Sequence, residues 1–212
     1  MNRNYKEIYN KSLKNPEEFW QEISEDVFWF KKPTKILKKD NPPFYKWFED
    51  GVTNTCYNAL DLHIDQGRGD KTALIYDSPI TGSKTKFTFK KLKEKVSKFA
   101  GALDKQGVNK GDRVIIYMPM IPEAVVAMLA CGRIGAIHSV VFGGFASNEL
   151  ASRIDDSKAK ILITASCGFE PGRTVEYRPL VDGALKLAKH QVEKVILFQR
   201  KDHEVKLNKP LE

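Results

Sequence analysis

The stretch "DRVIIYMPMIPEAVVAMLACGRIGAIHSVVFGGF", Asp112–Phe145, decides the fold. "DRVIIYM" is a nearly continuous apolar run and reads as a strand. "IPEAVVAMLACGRIGA" reads as a helix with Pro122 in its first turn, where a missing N–H leaves no bond unmade. "IHSVVF" is a second strand. Strand, helix and strand in this order form a βαβ unit. Strands that are apolar throughout are covered by helices on both faces, which is the signature of a parallel sheet.

The pattern extends in both directions. Upstream, "KTALIYD" and the alternating "KTKFTF" read as strands. A helix follows, with Phe89, Leu92, Val96, Phe99, Ala100 and Leu103 at steps of three and four and Gly107 as its stop. Downstream, "SNELASRIDDS" is a helix with Ser147 as the expected N-cap. "AKILITA" is a strand, "RPLVDGALKLAKH" a helix and "EKVILFQR" a strand. The fold class is α/β, a doubly wound and mainly parallel sheet with right-handed crossovers. Residues 1–60 differ: they hold all three tryptophans and prolines at 16, 33, 42 and 43. This irregular aromatic segment is expected to bury its rings against a larger body. The division is 1–60 and 61–212, the second an incomplete α/β sheet subdomain.

Composition narrows the function. With 42% hydrophobic and 29% charged residues in 212 positions, the chain is globular. No apolar run approaches the roughly 20 residues that span a bilayer. The N-terminus has no apolar signal region, and Cys56, Cys131 and Cys167 form no CxxC, so a cytoplasmic protein with reduced thiols is expected. The net charge of +8 raises nucleic acid, an anionic membrane surface or a phosphorylated ligand as partners. The lysines of "KKPTKILKKD" and "KKLKEKVSK" have no interleaved aromatics, so they read as solvated faces. Neither nucleic acid nor membrane is the expected partner.

Ligands of such sheets collect outside the carboxyl ends of the strands. Three loops leave those ends, after Met118, after Phe142 and after Ala165. In the second, Gly143 and Gly144 precede a helix N-terminus with its unpaired amides and partial positive charge. They either admit an anion or a flat ring, or make a tight turn only. In the third, "SCGFEPGR", the Pro171–Gly172 turn projects Arg173, whose guanidinium suits phosphate. Glu170 either orders Arg173, accepts a hydrogen bond from a ligand, or forms a plain surface pair. No GxGxxG, GxxxxGK[ST] or GxSxG motif is present. The four histidines have no metal spacing, and His138 reads as a packed core residue. "GRGD" at 67–70 reads as a turn. No catalytic residue and no metal ligand is assigned.

"NTCYNALDLHI" (54–64), the run from Phe87 to Phe145 and "ELASRIDDSKAKILITASCGFEPGRTVEYRPLVD" (149–182) resemble the N-terminal part of the AMP-forming short-chain acyl-CoA synthetases. These are the acetyl-CoA and propionyl-CoA synthetase branch of the adenylate-forming superfamily. The likeness runs almost throughout the chain, the aromatic segment included. It implies activation of a carboxylate by ATP, release of pyrophosphate and transfer of the acyl group from AMP to coenzyme A. It makes Glu170, Pro171, Gly172 and Arg173 the loop for the nucleotide end of coenzyme A, with Gly143 and Gly144 beside it.

The family's phosphate loop, adenine pocket and catalytic lysine, and with them the sites for ATP and Mg2+, lie beyond these residues. The chain is therefore expected to be an inactive N-terminal fragment that partners small-molecule substrates and the rest of the synthetase, and that self-associates through uncovered apolar surface. The acetyl-CoA branch carries a basic residue where this chain has Glu170, which favours propionate over acetate. The alternatives are an acetate-specific synthetase and a stand-alone coenzyme A-binding or interaction module.

Overall fold

The computed structural model describes residues 4–201 and 203–206. It divides into two compact units, Met1–Asn54 and Thr55–Glu212.

The first unit begins with helices α1 (Tyr5–Lys14) and α2 (Pro16–Ser24). Asn4 caps α1 by accepting from Lys6 N. Two short strands, β1 (Leu37–Lys38) and β2 (Lys46–Trp47), pair antiparallel. The rings of this unit pack on one another. Trp20 meets Trp47 edge-on at 6.0 Å, and Trp29 lies 5.5 Å from Phe48. The Trp29 indole donates to Ser24 O at 2.8 Å. Several rings expected to be buried stay open to solvent, Phe30 and Phe44 among them. Stacking within the segment takes the place of a deep core.

The second unit opens with two π-helical turns, Tyr57–Asp61 and Ile64–Arg68. Strands β3 (Thr72–Ser78) and β4 (Ser83–Thr88) form an antiparallel hairpin. Helix α3 (Phe89–Lys105) follows, its first turn closed by the Thr88 hydroxyl accepting from Lys91 N. Leu92, Val96, Ala100 and Leu103 are its buried stripe, and Gly107 at φ +84° ends it as the sequence predicts. Next come β5 (Arg113–Tyr117), α4 (Pro122–Ile134), β6 (Ile137–Val141), α5 (Ser147–Ser157) and β7 (Ile161–Ala165). A second hairpin, β8 (Cys167–Glu170) and β9 (Arg173–Glu176), then leads to α6 (Tyr177–Leu187) and β10 (Lys194–Phe198).

Strands β10, β7, β5 and β6 lie in that order in one parallel sheet. Successive residues of a strand point to opposite faces. Val114 and Ile116 of β5 join the core under α3 and α4, whereas Ile115 and Tyr117 join the core under α5 and α6. This is the doubly wound arrangement expected. The two central strands are its most deeply buried: β7 is buried end to end, and so is β5 from Val114 on. Full burial of each such Ile or Leu contributes about 1.5–3 kcal/mol.

Three local expectations change. Among the described residues β6 is an edge strand, and Ile137 and Val140 are half exposed instead of covered on both faces. His138 lies on the same edge and is exposed, not a core histidine. The N-cap of α5 is Ala146, without a side-chain bond, because the Ser147 hydroxyl donates to Leu180 O of α6 at 2.8 Å. All three cysteines are buried, and none is in a disulfide.

One polar cluster ties the first π-helical turn to two helices. The nearly buried Asp61 carboxylate accepts from Arg133 of α4 at 2.6 Å and pairs with Lys93 of α3 at 2.8 Å. Burial alone would raise the Asp61 pKa. The hydrogen bonds and charges of Arg133 and Lys93 outweigh it and hold the carboxyl below its ordinary value.

Candidate functional site

The chain leaves β5 to form β6 on one side, then crosses back to form β7 on the other. The order of strands therefore reverses between β5 and β7. At such a switch point the connections diverge to opposite faces and open a crevice at the carboxyl ends. A cleft of about 610 Å³ lies there. Met118, Phe142, Gly143, Phe169, Tyr177 and Arg200 are among its walls.

Gly143 of "FGGF" is needed for close approach, and the structure shows what approaches. A Cβ on Gly143 would lie 2.2 Å from the Tyr177 hydroxyl and 3.2 Å from Met118 O. A Cβ on Gly144 would lie 2.6 Å from the Phe142 ring. A Cβ on Gly168 would lie 3.0 Å from the Tyr177 ring. Tyr177 thus lies against both Gly143 and Gly168, and its ring packs on Tyr117 at 4.9 Å. The Tyr117 hydroxyl donates to Phe145 O at 2.6 Å, which fixes the turn after β6 to the sheet. Burial pushes the Tyr177 phenol up to about 12, so it is a neutral hydroxyl able to donate at the cleft wall.

The segment read as a loop after Ala165 is a β-hairpin. Cys167 pairs with Glu176 and Glu170 with Arg173, and Pro171–Gly172 closes the end with Gly172 at φ +75°. Proline first and a positive-φ glycine second is the combination a type II turn requires. At this tip the Arg173 Nε and one terminal nitrogen meet the same Glu170 oxygen, at 2.7 and 2.6 Å. Glu170 thus pairs with Arg173, an arrangement that fits both the ordering role and the plain surface pair left open by the sequence.

The structure brings Gly143, Gly144 and Glu170 to the cleft, while Gly172 and Arg173 line an adjoining hollow of about 490 Å³. Both spaces share Ile80, Thr81, Phe169 and Glu170. Pro171 forms the exposed tip. Arg178 is tied to Asp182 within α6, at 2.8 Å.

Two residues of the site escaped the sequence reading, Tyr177 and Arg200. Arg200 follows the carboxyl end of β10. Its guanidinium lies 4.4 Å from the Phe169 ring and donates to Cys167 O, while its backbone N–H donates to the Ser166 hydroxyl at 2.9 Å. It braces the base of the hairpin. A basic residue just past an apolar parallel strand was the available signal. Among the described residues no group of three or more His, Cys, Asp or Glu side chains could hold a metal ion, and no helix is long and apolar enough to cross a membrane.

A doubly wound domain with its cleft at the switch point is the fold of the large N-terminal domain in adenylate-forming enzymes, and this chain belongs to the AMP-binding enzyme family, whose profile matches residues 63–210. The profile of the acetyl-coenzyme A synthetase N-terminus matches residues 5–59. The human mitochondrial acyl-CoA synthetase short-chain family member 3 is 54% identical over 200 residues, covering 94% of this chain and 29% of that protein. An acetyl-coenzyme A synthetase of Streptomyces coelicolor is 46% identical over 199 residues, covering 94% and 30%. The chain thus spans less than a third of these relatives' length. The solved acetoacetyl-CoA synthetase of Streptomyces lividans shares the fold, with a TM-score of 0.83 at 23% identity over 98% of this chain and 34% of that one.

Proposed function

We propose that this chain is the N-terminal portion of an AMP-forming acid–thiol ligase for short-chain carboxylates, with propionate ahead of acetate. In the whole enzyme the carboxylate attacks the α-phosphate of ATP with Mg2+, releasing pyrophosphate. The thiol of coenzyme A then takes the acyl group and releases AMP. The residues described here supply the receiving site for the nucleotide end of coenzyme A. The rest of the synthetase chain supplies the ATP and acyl sites.

One observation carries this reading: the braced β8–β9 hairpin presents the Arg173 guanidinium beside a crevice at the switch point of a parallel sheet. Charge-assisted hydrogen bonds from a guanidinium to phosphate are the strong class and impose geometry as well as attraction. The relatives' names support the acyl-CoA chemistry, since they describe a short-chain acyl-CoA synthetase and an acetyl-coenzyme A synthetase. Preference for propionate rests on Glu170 and on the likeness of "EPGR" and "NTCYNAL" to the propionyl-CoA branch, and acetate is the second reading.

These 212 residues contain no phosphate loop. The chain by itself is therefore expected to give no ATP–pyrophosphate exchange with acetate, propionate or butyrate. Exchange above background with any of the three would show that adenylation is carried within these residues.

A further inference from the structure

Arg173 is not a free guanidinium awaiting an anion. Its Nε and one terminal nitrogen both bind one oxygen of Glu170. The two residues are register partners across the last pair of the hairpin, closed by a two-residue turn, so the backbone holds them opposite each other. Both side chains face solvent, Arg173 70% and Glu170 44% exposed. An exposed pair is weak enough to open. Among the described residues lining the adjoining hollow, Arg173 is the only cation and Glu170 the only anion. The hollow therefore has no net formal charge.

A phosphate entering this hollow meets one of two situations. It displaces the carboxylate from the guanidinium edge, or it binds to the remaining nitrogen with a carboxylate close by. A phosphate monoester near pH 7 carries close to two negative charges, and a neighbouring carboxylate opposes it in both cases. A ligand identical except for that monoester loses nothing of this kind.

We propose that Glu170 is a specificity-determining residue that cancels Arg173 and makes the site nearly indifferent to the 3′-phosphate of coenzyme A. This rests on the reading that the hairpin receives the nucleotide end of coenzyme A. The enzyme then uses coenzyme A and 3′-dephospho-coenzyme A with similar kcat/KM. The local charge, and not either side chain alone, sets the ratio between them.

The test is a charge ladder in the full-length synthetase, reading the ratio of kcat/KM for coenzyme A over 3′-dephospho-coenzyme A. The wild type, neutral at the tip, is expected within about threefold of unity. Glu170→Gln is close in shape and releases the guanidinium, so the ratio rises about tenfold, the effect of one charge-assisted bond. Arg173→Ala leaves a lone carboxylate, so the ratio falls below that of the wild type. The Glu170→Gln/Arg173→Ala double variant is neutral again and returns near the wild-type ratio. A ratio that does not move with Glu170→Gln, while Arg173→Ala weakens both thiols alike, overturns the proposal and leaves the coenzyme A reading in place. Kinetics with both thiols unaltered in all variants overturns the coenzyme A reading itself.

Discussion

Arg173→Ala in the full-length synthetase is expected to raise the apparent KM for coenzyme A by about tenfold and to change that for 3′-dephospho-coenzyme A much less, since one charge-assisted interaction is worth about a decade at 1.4 kcal/mol. The Arg173 guanidinium is already engaged by Glu170, so the effect arises from the Glu170 carboxylate that the substitution leaves unopposed at the hairpin tip. In the proposed reaction the acyl adenylate forms before coenzyme A enters, so that step should be nearly untouched. A KM for ATP that rises while the coenzyme A dependence stays constant would mean that the hairpin serves the other nucleotide. A change in both together with a lower melting temperature would mean that Arg173 only holds the hairpin in shape. Arg173 is 70% exposed and its bonds lie within the tip, so that last outcome is not expected.

The second large effect concerns stability. Asp61→Ala is expected to remove about 3 kcal/mol from the unfolding free energy, because breaking a buried pair strands the partner charge. The value is set at the lower end because Arg133 and Lys93 are themselves partly exposed. Urea unfolding of the two proteins measures it. The pH dependence follows from the depressed pKa of Asp61. Its contribution is fully present above the unfolded carboxyl value of about 4 and is lost as pH falls through the lower folded value. The gap between wild type and variant should therefore be constant from about pH 5 to pH 8 and close on acidification below about pH 4. A gap that widens in acid would assign the loss to something other than the ionised carboxylate.

The parts of this molecule that could be read from the sequence are those set by local periodicity. The β5–α4–β6 unit was legible because its apolar runs change from strand length to helix length at Met118 and back at Ala136. The stripe of α3 was legible for the same reason, as was the stop at Gly107. The exposure of β6 was not, since a strand's place in the sheet depends on which side the next crossover takes. His138 went wrong with it. The β8–β9 hairpin was missed although its signal is local, because four-residue strands carry too little alternation to stand out beside a Pro-Gly turn. Gly143 raised the right question about close backbone approach. Its answer, the Tyr177 hydroxyl, comes from a distant helix start and could only be found in three dimensions. Arg200 likewise meets Phe169 from the end of a neighbouring strand distant in sequence.

Hydrogen exchange of the full-length synthetase, with coenzyme A and with ATP added separately, tests most directly whether the hairpin and the "FGGF" turn form one coenzyme A site. Coenzyme A is expected to slow backbone exchange at residues 142–146 and 167–176, and ATP alone to leave both segments unchanged. Protection of the hairpin by ATP alone, or protection by coenzyme A confined to other segments, would contradict the assignment.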